Sequence, residues 1–241
     1  MYRSVFISDL HLGSKHCQDE ILLKFLQELK TEKLYLVGDI VDGWRLQKKW
    51  YWPNSHNKVI KEIIKLSKHT KVIWLSGNHD EFLRHHNFGN IGNVEICNHI
   101  THEALDGRNF LVTHGDMFDY LMRTKWGRFI MHIGDLAYDS LISLNTFVNW
   151  TRKLVGKKYW SLSKYLKVKA KAASNFVGDF EDEMIKYCKK RKFDGIICGH
   201  IHQPRIREMD GITYMNDGDW VENCSALIET SSGEWKIKYY V

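Results

Sequence analysis

Proline is nearly absent from this chain, with two residues, Pro53 and Pro204, in 241. That excludes a proline-rich linker and leaves little to divide the chain into separate domains. Cysteine is scarce too. Cys17, Cys97, Cys188, Cys198 and Cys224 are odd in number, scattered and never spaced CxxC. A disulfide framework and a cysteine zinc knot are therefore excluded, and reduced thiols in a cytoplasmic setting are expected. No apolar run reaches the ~18 residues of a membrane span. The opening "MYRSVFISDLHLG" lacks the basic head, long apolar stretch and cleavage site of a secretory signal. Repeats and low-complexity stretches are also missing. What remains is a length suited to one large α/β domain, 1–241, carrying an insertion.

The first half alternates two patterns. "SVFIS" (4–8), "KLYLV" (33–37), "KVIWL" (71–75), "VEIC" (94–97) and "NFLVT" (109–113) read as strands. Between the first three lie "DEILLKFLQELK" (19–30) and "HNKVIKEIIKLSKH" (56–69), whose apolar residues recur at helical spacing. Strand–helix alternation predicts βαβ units and a mostly parallel sheet. A helix is expected over 175–192, acidic early and basic late, as the helix dipole favours. Strand-like runs follow at 193–198, 212–216, 225–230 and 234–240. "SSG" joins the last pair as a hairpin, so the sheet should be mixed.

Residues 120–172 break the rhythm. They hold eleven Lys/Arg against Asp135 and Asp139, a net +9 in a chain whose total is +6. The stretch reads as a basic helical cap inserted at the strand rim; an ordinary helix pair packed on the sheet is the plainer alternative.

The chemistry lies where strands end. Asp9 and His11 follow the first strand, and Asp39 and Asp42 the second. Asn78, His79 and Asp80 follow the third; His114 and Asp116 follow "NFLVT"; His200 and His202 follow "FDGIIC". One strand-end Asp is usually a turn or cap. Five strand ends that all deliver carboxylate, amide or imidazole predict one site at the C-terminal rim. Asp9/His11 and His200/His202 are spaced i, i+2, which in extended chain puts both side chains on one face. Mixed Asp/His/Asn donors without thiolate suit Mn, Fe or Zn. Seven candidates are too many for one tetrahedral ion and suit two ions about 3.5–4 Å apart.

"DLH", "GDIVDG", "GNHD", "THGD" and "GHIH" resemble, in order and spacing, the motifs of the calcineurin-like metallophosphoesterases over residues 5–218, the insertion apart. That resemblance implies an α/β fold, a sandwich of two mixed β-sheets flanked by helices, with the helical cap inserted at about 120–172. It implies two divalent metal ions, manganese first and iron or zinc as alternatives. Asp9, His11, Asp39 and His202 would hold one ion, with Asp39 bridging; Asn78, His114 and His200 would complete the other. A hydroxide held between them would attack phosphorus. His79 would contact the phosphoryl or leaving oxygen, with Asp80 orienting its ring.

The basic insertion and "GDW" (218–220) resemble the UDP-2,3-diacylglucosamine hydrolase branch, which splits an acylated sugar nucleotide into UMP and an acylated sugar phosphate in lipid A biosynthesis. That implies a lipid-linked sugar-nucleotide substrate and a peripheral position on the inner face of the bacterial inner membrane. The basic cap, with Trp126, Trp150, Tyr159, Trp160 and Tyr165, would meet anionic lipid. Asp116, Asp119, Lys164, Lys167 and Asn175 are the implied substrate contacts. His79 stands where the best-known members of the branch carry Arg. Nucleic acid is not an expected partner, nor is an obligate protein. The alternatives from the residues are a soluble phosphodiesterase or nuclease, whose backbone-tracking surface would be the basic cap, and a catalytically silent binding module on the same fold.

Overall fold

The computed structural model describes residues 1–85, 89–121 and 162–240. They divide into two compact units: Met1–Met117 with Met184–Val241, and Phe118–Glu183.

In the first unit, β1 (Tyr2–Ile7), β2 (Thr31–Val37), β3 (Lys71–Leu75) and β5 (Val94–Cys97) run parallel. β11 (Ser225–Thr230) and β12 (Trp235–Tyr239) join antiparallel beside β1, and short β4 (Asn90–Ile91) closes the far edge. The order is β12-β11-β1-β2-β3-β5-β4. The second sheet is β6 (His99–Glu103), β7 (Asn109–Thr113), β8 (Gly195–Cys198), β10 (Ile212–Asn216) and β9 (Arg205–Met209), in the order β6-β7-β8-β10-β9. Its central strands β7, β8 and β10 are parallel; its edges are antiparallel.

Pleat alternation builds the layers. Val5, Ile7, Leu34, Leu36, Val72 and Trp74 pack with Leu22, Phe25 and Leu26 of α1 (Asp19–Glu28) and Val59 and Ile63 of α3 (Asn54–Leu66). The intervening Phe6, Tyr35, Val37, Ile73 and Leu75 face the other way. They meet Phe110, Val112, Ile197 and Met215 of the second sheet. A strand buried on both faces reads as a continuous apolar run, which is how these strands look in the sequence. The result is the expected two-sheet sandwich flanked by helices.

A buried polar tie also crosses the sandwich. Glu229 on β11 meets His102 Nε2 of β6 at 2.9 Å, accepts from Leu105 N at 2.7 Å and pairs with Arg3 at 3.3 Å. His102 Nδ1 continues to the Tyr35 hydroxyl at 3.0 Å.

Short elements the sequence pattern did not signal are β4, β6, β9, α2 (Gly43–Lys48) and α4 (Phe82–His85). β4, α2 and α4 are too short for periodicity to register, and β6 ("HITHE") and β9 ("RIREM") are too polar to read as strands. The helix expected from 175 is α6 (Leu162–Arg191), thirty residues without interruption. Ser174 and Asn175, which look like a helix start, cost an interior only tenths of a kcal/mol, about 0.7 at most. Its end is explicit. Lys192 turns left-handed at φ 63°, and Phe193 N closes on Cys188 O at 3.0 Å.

In the second unit, the rings of Phe118, on α5 (Met117–Leu121), and Phe180 meet at 6.3 Å, both fully buried. Trp126, Trp150, Tyr159 and Trp160 lie outside the described residues, as does the Tyr165 side chain. No described helix is long and apolar enough to cross a membrane.

Replacing Glu229 by Ala would strand a buried imidazole and an amide N–H. It should cost about 3–5 kcal/mol in denaturant unfolding, against about 1 kcal/mol for an ordinary substitution. A loss of the ordinary size would show that the tie is idle.

Candidate metal centre

Each parallel strand ends in a loop that is laced to its neighbour. Asp9 N donates to Gly38 O at 3.1 Å, His11 N to Asp39 O at 3.0 Å and Leu12 N to Ile40 O at 2.9 Å. Gly199 N reaches His114 O at 3.2 Å, and Trp220 N reaches Asp9 O at 3.1 Å. This lacing forces unusual backbone. Eight described non-glycine residues have positive φ, and five of them are Asp9, His11, Asp39, His200 and His202. Each such residue costs about 1–3 kcal/mol and persists only where its surroundings impose it; such strain clusters at functional sites. The i, i+2 pairs are thus not extended, as the spacing suggested, but left-handed turns.

The glycines of the "GD", "GN" and "GH" steps make room for other donors. A Cβ on Gly38 would strike the His114 ring, on Gly77 the Asp39 carboxylate, and on Gly199 both Ser8 Oγ and Asp9 Oδ2. Each glycine before one candidate ligand is the seat of another.

Three groups of donor atoms result: Asp9, His11 and His202; Asp39, His114 and His200; and His11, Asp39 and His79. Within each group the atoms lie within 4.8 Å of one another. His200 and His202 fall in different groups, and Asp39 belongs to two. Asn78 Oδ1 lies 3.2 Å from His114 Nε2, beside the second group. His114 Nδ1 donates to Val37 O at 2.8 Å, which turns Nε2 inward, 3.2 Å from Asp39 Oδ2. Asp9 Oδ1 is buried and accepts no hydrogen bond, although His202 Nε2 is 3.0 Å and His11 Nε2 3.7 Å away. A bare carboxylate oxygen ringed by imidazole nitrogens suits a divalent cation of the Mn, Fe or Zn class.

Without cations, protons on histidine must balance these acids. Burial lowers the His11 pKa, but the facing carboxylates of Asp42, Asp9 and Asp39 outweigh it, raising it to about 10. Burial likewise opposes, and Asp39 overcomes, at His114; Asp9 does the same at His202; both are raised. Burial raises the carboxyls of Asp9 and Asp39, and the facing histidines bring both net below the usual range.

His79 Nδ1 meets Asp42 Oδ1 at 2.9 Å, and its Nε2 is 4.0 Å from Asp39 Oδ2. Burial raises the Asp42 carboxyl, but its bonds to His11 and His79 hold it well below the usual range, so Asp42 is an acceptor and His79 Nδ1 carries the hydrogen. The partner implied by the family resemblance, Asp80, is turned elsewhere. Its carboxylate accepts from Gly77 N at 2.5 Å, Ile40 N at 2.9 Å and Trp74 Nε1 at 3.2 Å. Asp80 braces the loops under Asp39; Asp42 orients His79. Trp44, 42% exposed, lies against the His79 ring at 4.4 Å.

Of the implied substrate contacts, Asp116 has both oxygens on the Arg84 guanidinium, at 2.8 and 2.9 Å. Arg84 also donates to Ser76 Oγ at 2.9 Å and Ser76 O at 2.8 Å, tying the Asn78 loop to the His114 loop. Asp119 sits on α5 in the second unit. The side chains of Lys164, Lys167 and Asn175 lie outside the described residues.

The family model of the calcineurin-like phosphoesterases matches residues 2–204. The chain belongs to the calcineurin-like phosphoesterase family. This phosphoesterase is 28% identical to a UDP-2,3-diacylglucosamine hydrolase of Neisseria gonorrhoeae over 95% of its own length and 94% of the relative's. A protein of the same name from Psychromonas ingrahamii is 26% identical over 92% and 91%. Among solved structures, an archaeal phosphodiesterase aligns over 98% of both chains at 15% identity and a TM-score of 0.45. The phosphoesterase is a hydrolase that cleaves phosphoester bonds, and its fold implies divalent metals.

Arg84 and Ser8 escaped the reading of the sequence as parts of the site, and Asp42, though counted among the strand-end donors, was given no role there. Asp42 had a signal, the repeated Asp in "GDIVDG". Arg84 and Ser8 had none, since nothing marks a lone Arg or Ser as a brace.

Cation uptake must expel protons from His11, His114 and His202. Affinity for Mn²⁺ should therefore rise with pH, toward about 10 for His11, and weaken as pH falls. Calorimetry in buffers of different ionisation enthalpy should show net proton release; proton-neutral binding would refute this balance. Gly77→Ala, which drives a methyl into the Asp39 carboxylate, should impair uptake at both positions in metal analysis. Full stoichiometry in that variant would count against Asp39 as a donor shared by two positions.

Proposed function

We propose that this phosphoesterase hydrolyses the pyrophosphate of UDP-2,3-diacylglucosamine, giving UMP and 2,3-diacylglucosamine 1-phosphate, a step of lipid A biosynthesis. The observation that carries the reading is the chain of three overlapping donor groups, joined through His11 and through Asp39, with His79 in the middle one. The choice of substrate rests on relatives that match nearly end to end.

Asp9, His11, Asp39 and His202 would hold one divalent ion, and Asp39, Asn78, His114 and His200 the other. Manganese is proposed, with iron or zinc as cations the same donors accept. Two such ions neutralise phosphate charge and bring the pKa of water toward about 7. The residues do the rest. The strained turns hold the donors at fixed points, so little reorganises during reaction. Asp42 keeps the His79 Nδ1 hydrogen in place and directs Nε2 toward Asp39, 4.0 Å away. From there Nε2 would donate a hydrogen to the phosphoryl oxygen or the departing oxygen. Water adds to phosphorus in line, the P–O anhydride bond breaks, and its electron pair leaves with the departing phosphate. Asp80 supports Asp39 from beneath.

Asp119, Lys164, Lys167 and Asn175 are proposed to contact the sugar nucleotide, and Asp116 to act through Arg84. The basic 120–172 segment is proposed as a cap inserted in a single domain. It would cover the acyl chains and rest on anionic lipid at the cytoplasmic face of the inner membrane. His79, in place of arginine, favours a second reading: a soluble phosphodiesterase or nuclease with the same centre.

Purified protein with Mn²⁺ should release UMP from UDP-2,3-diacylglucosamine. His79→Ala should slow turnover by about 10²–10⁴-fold. Cleavage of a simple phosphodiester without release of UMP would favour the second reading.

A further inference from the structure

The turn after β10, "NDGDW" at 216–220, supplies none of the donors named above. It nonetheless contains a completely buried acid, Asp217, whose Oδ2 accepts no hydrogen bond. Its Oδ1 lies 2.7 Å from Ser8 Oγ. The same Ser8 oxygen lies 2.5 Å from Asp9 Oδ2 and 3.1 Å from Gly218 O.

A serine hydroxyl owns one hydrogen and cannot serve all three acceptors. Two bare carboxylates on one hydroxyl oxygen, away from water, would repel each other. One of the acids must bring a hydrogen. Asp9 is the poor choice, because His11, His202 and the His200 N–H at 3.0 Å all favour its charged form. No cation is hydrogen-bonded to Asp217, and only the His114 charge acts on it, through space. Burial raises its carboxyl well above the usual range; the Asp9 charge adds to this, and the Ser8 contact and the His114 charge oppose it without reversing it.

We propose that Asp217 is a positioning residue that acts as a hydrogen-bond donor. The neutral acid donates through Oδ1 to Ser8 Oγ, Ser8 donates to Asp9 Oδ2, and Asp9 Oδ1 is left free to face His11 and His202. The backbone keeps this brace in place. Asp217 N donates to Cys198 O at 3.0 Å, and Ser225 Oγ donates to Asp217 O at 2.7 Å. Gly199 leaves the space that Ser8 and Asp9 occupy. The brace would set where one metal-facing oxygen points without touching metal or substrate.

The inference rests on Asp9 being a ligand, and its test separates the two. Asp217→Asn keeps a donor in place of Oδ1, whereas Asp217→Ala and Ser8→Ala break the chain. Mn²⁺ affinity, measured by competition with a chelator, should stay close to wild type in Asp217→Asn. It should fall about 10–100-fold in Asp217→Ala and in Ser8→Ala. Equal loss in Asp217→Asn and Asp217→Ala would overturn the donor role, as would wild-type affinity in all three. Wild-type protein that takes up no cation would instead defeat the reading of Asp9. Infrared spectra of the cation-free protein decide the donor in either case. A carboxylic-acid carbonyl band present in wild type and lost in Asp217→Asn is expected; two identical spectra would overturn the proposal.

Discussion

Asp9, Asp39, Asp42, Asp80, Asp217 and Asp219 are each at most 2% exposed, and all six sit in loops at the C-terminal ends of strands. At a few ångströms, in a medium far less polar than water, like charges repel by several kcal/mol. Each acid must therefore meet a proton, a hydrogen-bond donor or a cation. Backbone amides answer Asp80, and amides with the Asn223 side chain answer Asp219. Histidines face Asp9, Asp39 and Asp42. The donors left over, converging around Asp39, are what two divalent ions would satisfy.

The sandwich exists to hold these loops still. Strands buried on both faces cannot shift register without moving their apolar sets, so the points where they end are fixed. Four parallel strands of one sheet and three of the other bring their C-terminal ends to one rim. Lacing between the loops then imposes left-handed backbone on five donor residues. Stability gathered in the core is spent there on geometry, which is why the strain coincides with the chemistry.

Much of this was legible in the sequence. Apolar runs such as "SVFIS" and "KLYLV" coincide with β1, Ser8 apart, and with β2, because doubly buried strands are apolar at almost every position. The five donor clusters stood at their strand ends for the same reason. What was illegible was fine geometry and short structure. β6 is only five residues and carries His99 and His102, so its pattern reads as polar loop. His79 has Asp80 as its neighbour in sequence yet Asp42 as its partner in space, since the Asp80 carboxylate is taken up by Gly77 N, Ile40 N and Trp74 Nε1. The "GHIH" spacing suggested extended chain, but lacing to the His114 loop made it a pair of left-handed turns. Asp217 drew no reading from the sequence, because the group it meets, Ser8, is far away in the chain.

Asp39 shared between two cations is the claim on which the account depends. Low-temperature electron paramagnetic resonance of the fully Mn²⁺-loaded protein tests it most directly. Two ions about 3.5–4 Å apart through one carboxylate should give an exchange-coupled spectrum, and Asp39→Asn should abolish the coupling. Signals of isolated Mn²⁺ alone, at full loading of the wild-type protein, would contradict it.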